Sequence, residues 1–162
     1  MRVVTETWWS EALGRQKSVS VVLPPGYTAT GRPFPVLYLL HSYGGNRTTW
    51  LTCPSLADCA AAHRMILVLP ESGRYWLIND AGGRRYEDYF VHEVVGQVEK
   101  RYNTVASRAG RAVAGFSMGE PPPCSIPCAT RTCLRWRAAT AAPSRRPCAK
   151  ATPMPPTVRT SG

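Results

Sequence analysis

The sequence lacks any apolar run approaching the length that crosses a membrane. Its first residues, Met1-Arg2-Val3-Val4-Thr5-Glu6, contain no apolar core of the kind that opens a secretory signal. A soluble cytoplasmic protein with no membrane partner is therefore expected. Metal-binding spacing is also missing: Cys124, Cys128, Cys133 and Cys148 are irregularly placed, with no C-x2-C pair and no nearby histidine, so no metal is expected. Cys53 and Cys59 read as buried thiols, not as a disulfide. Histidine and aspartate are scarce and unevenly spread: no aspartate follows Asp88 and no histidine follows His92. Beyond residue 119 there is one glycine, Gly162, and one aromatic, Trp136.

What is present divides the chain in two. The formal charge of +10 suggests a polyanion partner until its distribution is examined. Residues 1–119 carry 13 Lys/Arg against 9 Asp/Glu, and residues 120–162 carry 7 against 1. More than half of the excess lies in the last 43 residues, so the first part is only mildly basic. At 162 residues and 44% apolar content, one domain with a packed core is expected.

The first part alternates strand and helix signals. Ser18–Leu23 reads as a strand closed by the turn cluster Pro24-Pro25-Gly26-Tyr27. Pro35–Leu40 and Met65–Leu69 are continuous apolar runs, as in strands buried on both faces of a parallel sheet. Ser55–His63 reads as a helix. Arg85–Tyr102 is a second, with Tyr86, Phe90, Val94 and Val98 on one face and Glu87, Asp88, Glu93 and Glu99 towards water. Arg111–Ala114 is a further strand. This order indicates α/β architecture with a mainly parallel sheet and flanking helices.

That last strand runs straight into Gly115-Phe116-Ser117-Met118-Gly119, a G-x-S-x-G nucleophile elbow. A sharp strand-to-helix turn lifts the serine Oγ above the sheet edge, and the glycines allow the backbone to pass close to itself. After Gly119 the periodicity vanishes. Nine of the fifteen prolines lie there, beginning with Pro121-Pro122-Pro123, which cannot continue a helix. The composition reads as a disordered tail.

Six blocks in one order carry a resemblance: LPPGY at 23–27, PVLYLLHSYGGNRTTW at 35–50, ILVLPESG at 66–73, YWLIND at 75–80, RYEDYFVHEVVGQVEKRY at 85–102 and RAVAGFSMG at 111–119. Over Val19 to Gly119 the chain resembles the putative-esterase branch of the α/β-hydrolases. That branch includes S-formylglutathione hydrolase (esterase D), feruloyl esterases and the mycolyltransferase antigens. The resemblance implies an α/β-hydrolase fold, a small-molecule ester or thioester substrate, and no cofactor. Hydrolysis and acyl transfer both fit it.

By the same resemblance Ser117 is the nucleophile, and the backbone N–H of Met118 is one oxyanion donor. The second donor is expected from His41-Ser42-Tyr43-Gly44-Gly45, with Tyr43 N–H preferred and Ser42 its neighbour. The family more often has glycine after the histidine, so Ser42 is a departure that bears on the loop's backbone angles. His41 and Gly44 support the loop, as Gly115 and Gly119 support the elbow; a general-base role is the other reading of His41. Glu87 and Asp88 read as capping or salt-bridging residues, the other reading being an acid/base pair. Trp76 and Asp80 sit in a segment near the family's pocket, where substrate contact and loop bracing are both open. His63 and His92 read as surface or packing residues.

The triad of this fold runs Ser, then Asp/Glu, then His. After Ser117 the only acid is Glu120, where the family prefers glycine, and there is no histidine. The chain is therefore expected to be inactive or impaired. Residues 120–162 read as out-of-frame translation. When each triplet is taken as the third base of one codon plus the first two of the next, residues 127–143 permit LRHPDLFAVAGSxSGA. That spelling resembles what the family carries after its elbow helix. Two tight junctions, Cys128-Ala129 and Trp136-Arg137, both allow the expected residue. The alternative from another class is a non-catalytic protein whose basic tail binds nucleic acid or another polyanion. With Trp136 standing alone among the basic residues, nucleic-acid binding is not expected.

Overall fold

The computed structural model describes residues 1–115, Ser117 and the pair 135–136. Its centre is one six-stranded sheet in the order β1-β2-β4-β3-β5-β6. The strands are β1 (Arg2–Ser10), β2 (Arg15–Leu23), β3 (Val36–Leu40), β4 (Ile66–Leu69), β5 (Arg111–Gly115) and β6 (Arg135–Trp136). β3, β4 and β5 are mutually parallel through β3, β6 runs parallel to β5, and β1 and β2 add an antiparallel margin. The sheet is thus mixed, with its parallel part where the two continuous apolar runs and the pre-elbow strand were expected.

Two differences from the sequence reading concern the ends of the sheet. β1 has no counterpart among the expected strands. It pairs with β2 over nine positions, from Arg2↔Leu23 to Ser10↔Arg15, and only Trp8 and Ser10 on it are buried. β6 lies within the stretch read as lacking order, beside Ala112 and Val113.

The two faces of the sheet are covered by helices. One face packs on the segment 86–101, where α2 (Tyr86–Asp88) continues through a π-helical stretch, Tyr89–Val94, into α3 (Val95–Arg101). The wider π turn places Tyr89, Phe90 and Val91 all in buried positions, which the expected helical spacing would not do. Val19, Val21, Val36, Tyr38, Ile66, Val68 and Val113 meet this helix from the sheet, and Tyr38 lies edge-on to Phe90 at 5.5 Å. Each such fully buried aliphatic side chain contributes about 1.5–3 kcal/mol. The other face packs Val22, Leu39, Leu67, Leu69 and Ala114 against Leu56 and Ala60 of α1 (Leu56–Ala62). Cys53 and Cys59 are free thiols, half-buried and not buried as expected. No helix of the described residues is long and apolar enough to cross a membrane.

Candidate active site

Parallel pairing decides what meets at the carboxyl edge of the sheet. Leu40, the last residue of β3, pairs with Gly115, the last residue of β5. The chain therefore leaves the two neighbouring strands side by side, one into His41–Gly45 and the other into the elbow. Ser117 is exposed there and has φ +57°. A left-handed backbone on a non-glycine residue costs on the order of 1–2 kcal/mol and marks the strained turn an elbow requires. Gly115 is buried beneath it. Met118 and Gly119 lie outside the described residues.

The loop facing the elbow is rigidly held. His41 is only 3% exposed. Its Nδ1 is 2.7 Å from the Ser42 carbonyl oxygen, and its Nε2 is 2.9 Å from the Ser72 backbone nitrogen. A carbonyl can only accept and an amide N–H can only donate, so these contacts require a neutral imidazole protonated at Nδ1. Both nitrogens are then occupied, and the Ser72 hydroxyl stands 3.4 Å from Nε2. Gly44 N–H donates to Gly73 O at 3.0 Å, and Gly45 N–H donates to Ser42 O at 2.9 Å. Gly44 takes the loop's left-handed position at φ +74°, while Ser42 stays outside that region. The serine that replaces glycine after the histidine is therefore accommodated without backbone strain. A Cβ on Gly45 would stand 3.0 Å from the His41 ring and 2.9 Å from Thr49 Oγ1. The Trp50 indole N–H donates to Leu40 O at 3.0 Å and fastens the end of β3. Tyr43 N–H has no acceptor among the described residues, and its side chain is exposed.

Beyond Gly73 the edge is bordered by a loop that carries Trp76 and Asp80. Trp76 is exposed at 45%. Asp80 accepts from Arg84 twice, from its backbone N–H at 3.0 Å and from its Nε at 2.6 Å. The Arg84 hydrogen bonds hold the Asp80 carboxyl below the usual carboxylate range. Its contacts are those of a loop brace. Next to it, Arg84 lies over Tyr75, Tyr75 stacks on Tyr86 at 5.1 Å, and the Arg15 guanidinium hydrogen-bonds the Tyr86 hydroxyl. Lys17, buried beside Glu71 at 3.8 Å, has its pKa lowered by desolvation, with Glu71 opposing the shift.

Ser72, Gly73 and Tyr75 were not singled out from sequence. Only the turn-like Glu71-Ser72-Gly73 after an apolar run hints at them. His63 lies at the opposite edge, just after α1, and His92 projects from the long helix with an exposed ring 3.9 Å from Asp88. Asp88 also pairs with Arg85 at 2.7 Å, and Asn79 Oδ1 accepts from Glu87 N–H at 3.1 Å and from Asp88 N–H at 3.3 Å, capping the helix start. Among the described residues no three His, Cys, Asp or Glu side chains gather as a metal-binding group.

Similarity to known proteins agrees with this layout. The family model described as putative esterase matches residues 10–120. Esterase Rv1288 of Mycobacterium tuberculosis is 37% identical over 117 residues, which are 68% of this chain and 25% of the relative. Among solved structures, the substrate-bound serine hydrolase FphF of Staphylococcus aureus aligns with a TM-score of 0.66 at 26% identity, covering 74% of this chain and 48% of that one. A ferulic acid esterase aligns at 0.64 and 31% identity, covering 74% and 51%. The chain thus spans a quarter of the mycobacterial relative and about half of the solved structures. The family match over residues 10–120 and the likeness to these esterase structures agree, and the chain belongs to the putative-esterase family, with the α/β-hydrolase fold.

Proposed function

We propose that this chain carries the nucleophile and oxyanion half of a serine acyl-transfer site. The observation that supports it most is the pairing of Leu40 with Gly115, which sets an exposed, left-handed Ser117 beside the His41–Gly45 loop. In this reading Ser117 Oγ attacks the carbonyl carbon of an ester or thioester. The carbonyl π electrons move onto oxygen, which the backbone N–H groups of Tyr43 and Met118 stabilise, while Ser42, His41, Gly44, Gly115 and Gly119 shape the two turns. The alcohol or thiol then departs, and water or a second alcohol takes the acyl group from Ser117. The nearby pair Trp76 and Asp80 borders the substrate, Trp76 by exposed aromatic surface and Asp80 by bracing the loop.

The step also needs a base for the Ser117 proton. His41 opens the loop beside the strand that leads to Ser117, and both of its nitrogens are already engaged. Loss of a triad member removes several orders of magnitude of rate. The chain is therefore impaired or inactive by itself. Hydrolysis of p-nitrophenyl acetate, with Ser117→Ala as control, tests this. Turnover near background is expected in both; robust turnover abolished by Ser117→Ala would sink the incompleteness reading and keep the nucleophile.

The domain reading has the same root: 1–119 as the start of an α/β-hydrolase domain and 120–162 as out-of-frame translation. The family match ends at residue 120. β6, parallel to β5, falls at Arg135–Trp136, where the shifted frame spells the apolar Ala-Val-Ala. Resequencing the gene across codons 115–145 decides it. An intact frame with no indel relative to close relatives would overturn it.

A further inference from the structure

The amino edge of the sheet, opposite the elbow, holds a cavity of about 600 Å³ bounded by the residues that lead into β3, β4 and β5. Arg32, His63 and Arg64 line it, with Pro35, Val105 and Gly110, and no carboxylate does. Neither Arg32 nor Arg64 has an ion-pair partner among the described residues. Three nitrogen-bearing side chains around one hollow, without a counter-charge, make a surface that attracts anions.

The walls are built of fixed backbone. Phe34 N–H donates to Asn103 O at 3.0 Å, Val105 N–H donates to Phe34 O at 2.9 Å, and Ile66 N–H donates to Pro35 O at 2.9 Å. Gly110 passes so close to Val105 that any Cβ would overlap its Cβ and its carbonyl oxygen.

Arg64 is the informative residue. Arg64 N–H donates to Ala61 O and Met65 N–H to Ala60 O, both at 3.2 Å, the paired bonds that end a helix through a left-handed residue. Glycine is the usual occupant of that position, yet here an arginine adopts φ +47°. Its guanidinium lies over the Phe34 ring at 4.9 Å from the centroid. The ring supports the guanidinium from one side, and the N–H edges of such a fork can grip an oxyanion. Helix termination alone gives no reason for arginine over glycine; an anion would.

The geometry points to a binding site for a phosphorylated small molecule in this hollow. Its phosphate is gripped by Arg64 and Arg32, with His63 as a further donor, and its organic body rests on Pro35 and Val105. The volume suits a nucleotide-sized ligand. Because the site stands at the other edge of the sheet, it does not depend on the Ser117 reading.

Calorimetric titration of the full chain with AMP and with inorganic phosphate, at low ionic strength, is the test. AMP is expected to bind more tightly than phosphate. Arg64→Gly, which suits the left-handed backbone, and Arg32→Ala, at an exposed loop position, should each weaken AMP binding about tenfold or more. Arg74→Ala, at the opposite edge of the sheet next to Gly73, should leave it unchanged. The basic segment 120–162 is common to every variant and cannot produce these differences. AMP and phosphate binding equally weakly, no binding at millimolar concentration, unchanged affinity in both hollow variants, or an equal loss in Arg74→Ala would each overturn the site.

Discussion

Two non-glycine residues of the described chain have left-handed backbone, and they sit at opposite edges of the same sheet: Ser117 after β5 and Arg64 before β4. The local cost is similar, on the order of 1–2 kcal/mol each. The surroundings differ. Ser117 follows the strand that pairs with β3, so its turn faces a loop tied down by His41, Ser72 and Gly73. Arg64 ends a seven-residue helix and opens onto a cationic hollow. One strain presents a hydroxyl, the other a guanidinium. Strain by itself marks a position where the side chain matters more than backbone comfort; the neighbours tell which chemistry it serves.

The two edges are expected to tolerate change unequally, and glycines measure this most directly. Gly110→Ala at the amino edge should have the largest effect, because the added methyl would overlap the backbone oxygen of Val105, which cannot move without the Val105–Phe34 pairing. A loss of about 3 kcal/mol or more is expected in chemical denaturation, up to failure to fold. A loss under 1 kcal/mol would mean that this edge yields. At the carboxyl edge, His41→Ala is expected to cost about 2–3 kcal/mol, since it leaves the buried Ser72 N–H without an acceptor and empties a packed site. His41→Gln can return an acceptor to Ser72, and His41→Asn a donor to Ser42 O. Each should recover about 1 kcal/mol, and equal destabilisation by all three would show that packing, not the two hydrogen bonds, holds the loop.

Much of the carboxyl edge was legible from residues alone, because its elements are local. The apolar runs around Val36–Leu40 and Ile66–Leu69 are short, continuous and bounded by turn residues, as strands of a covered sheet are, and a serine between glycines directly after a strand implies a sharp turn. What escaped depends on distance along the chain. β1 is an edge strand with seven of its nine residues outside the core, so nothing but its pairing with β2 makes it a strand. The clamp from Ser72 and Gly73 onto the His41 loop joins residues about thirty apart, and only the β3–β4 register brings them together. The π turn over Tyr89–Val94 escaped for another reason. Tyr86, Phe90, Val94 and Val98 fit an ordinary helix equally well, and the wider turn follows from burying Tyr89 and Val91 as well. Asp80 was open between substrate contact and bracing because its partner, Arg84, is visible in sequence only as one of two adjacent arginines.

Smaller substitutions sharpen the comparison between the two strained positions. Gly45→Ala places a methyl at 3.0 Å from the His41 ring and 2.9 Å from Thr49 Oγ1; the threonine can rotate but the ring cannot, so about 1–2 kcal/mol of destabilisation is expected. Arg64 then separates backbone from side chain. Arg64→Gly removes the left-handed penalty, but it adds flexibility to the unfolded chain and loses the contact over Phe34, so stability should stay within about 1 kcal/mol of the parent. Arg64→Val keeps the left-handed demand and places a β-branched side chain there, and should fall about 2 kcal/mol below Arg64→Gly. Thermal and urea unfolding of the pair measure that gap. If valine and glycine prove equally stable, the helix end relaxes into another conformation, and Arg64 would no longer parallel Ser117: its backbone would be following its side chain, whereas at the elbow the side chain follows the backbone.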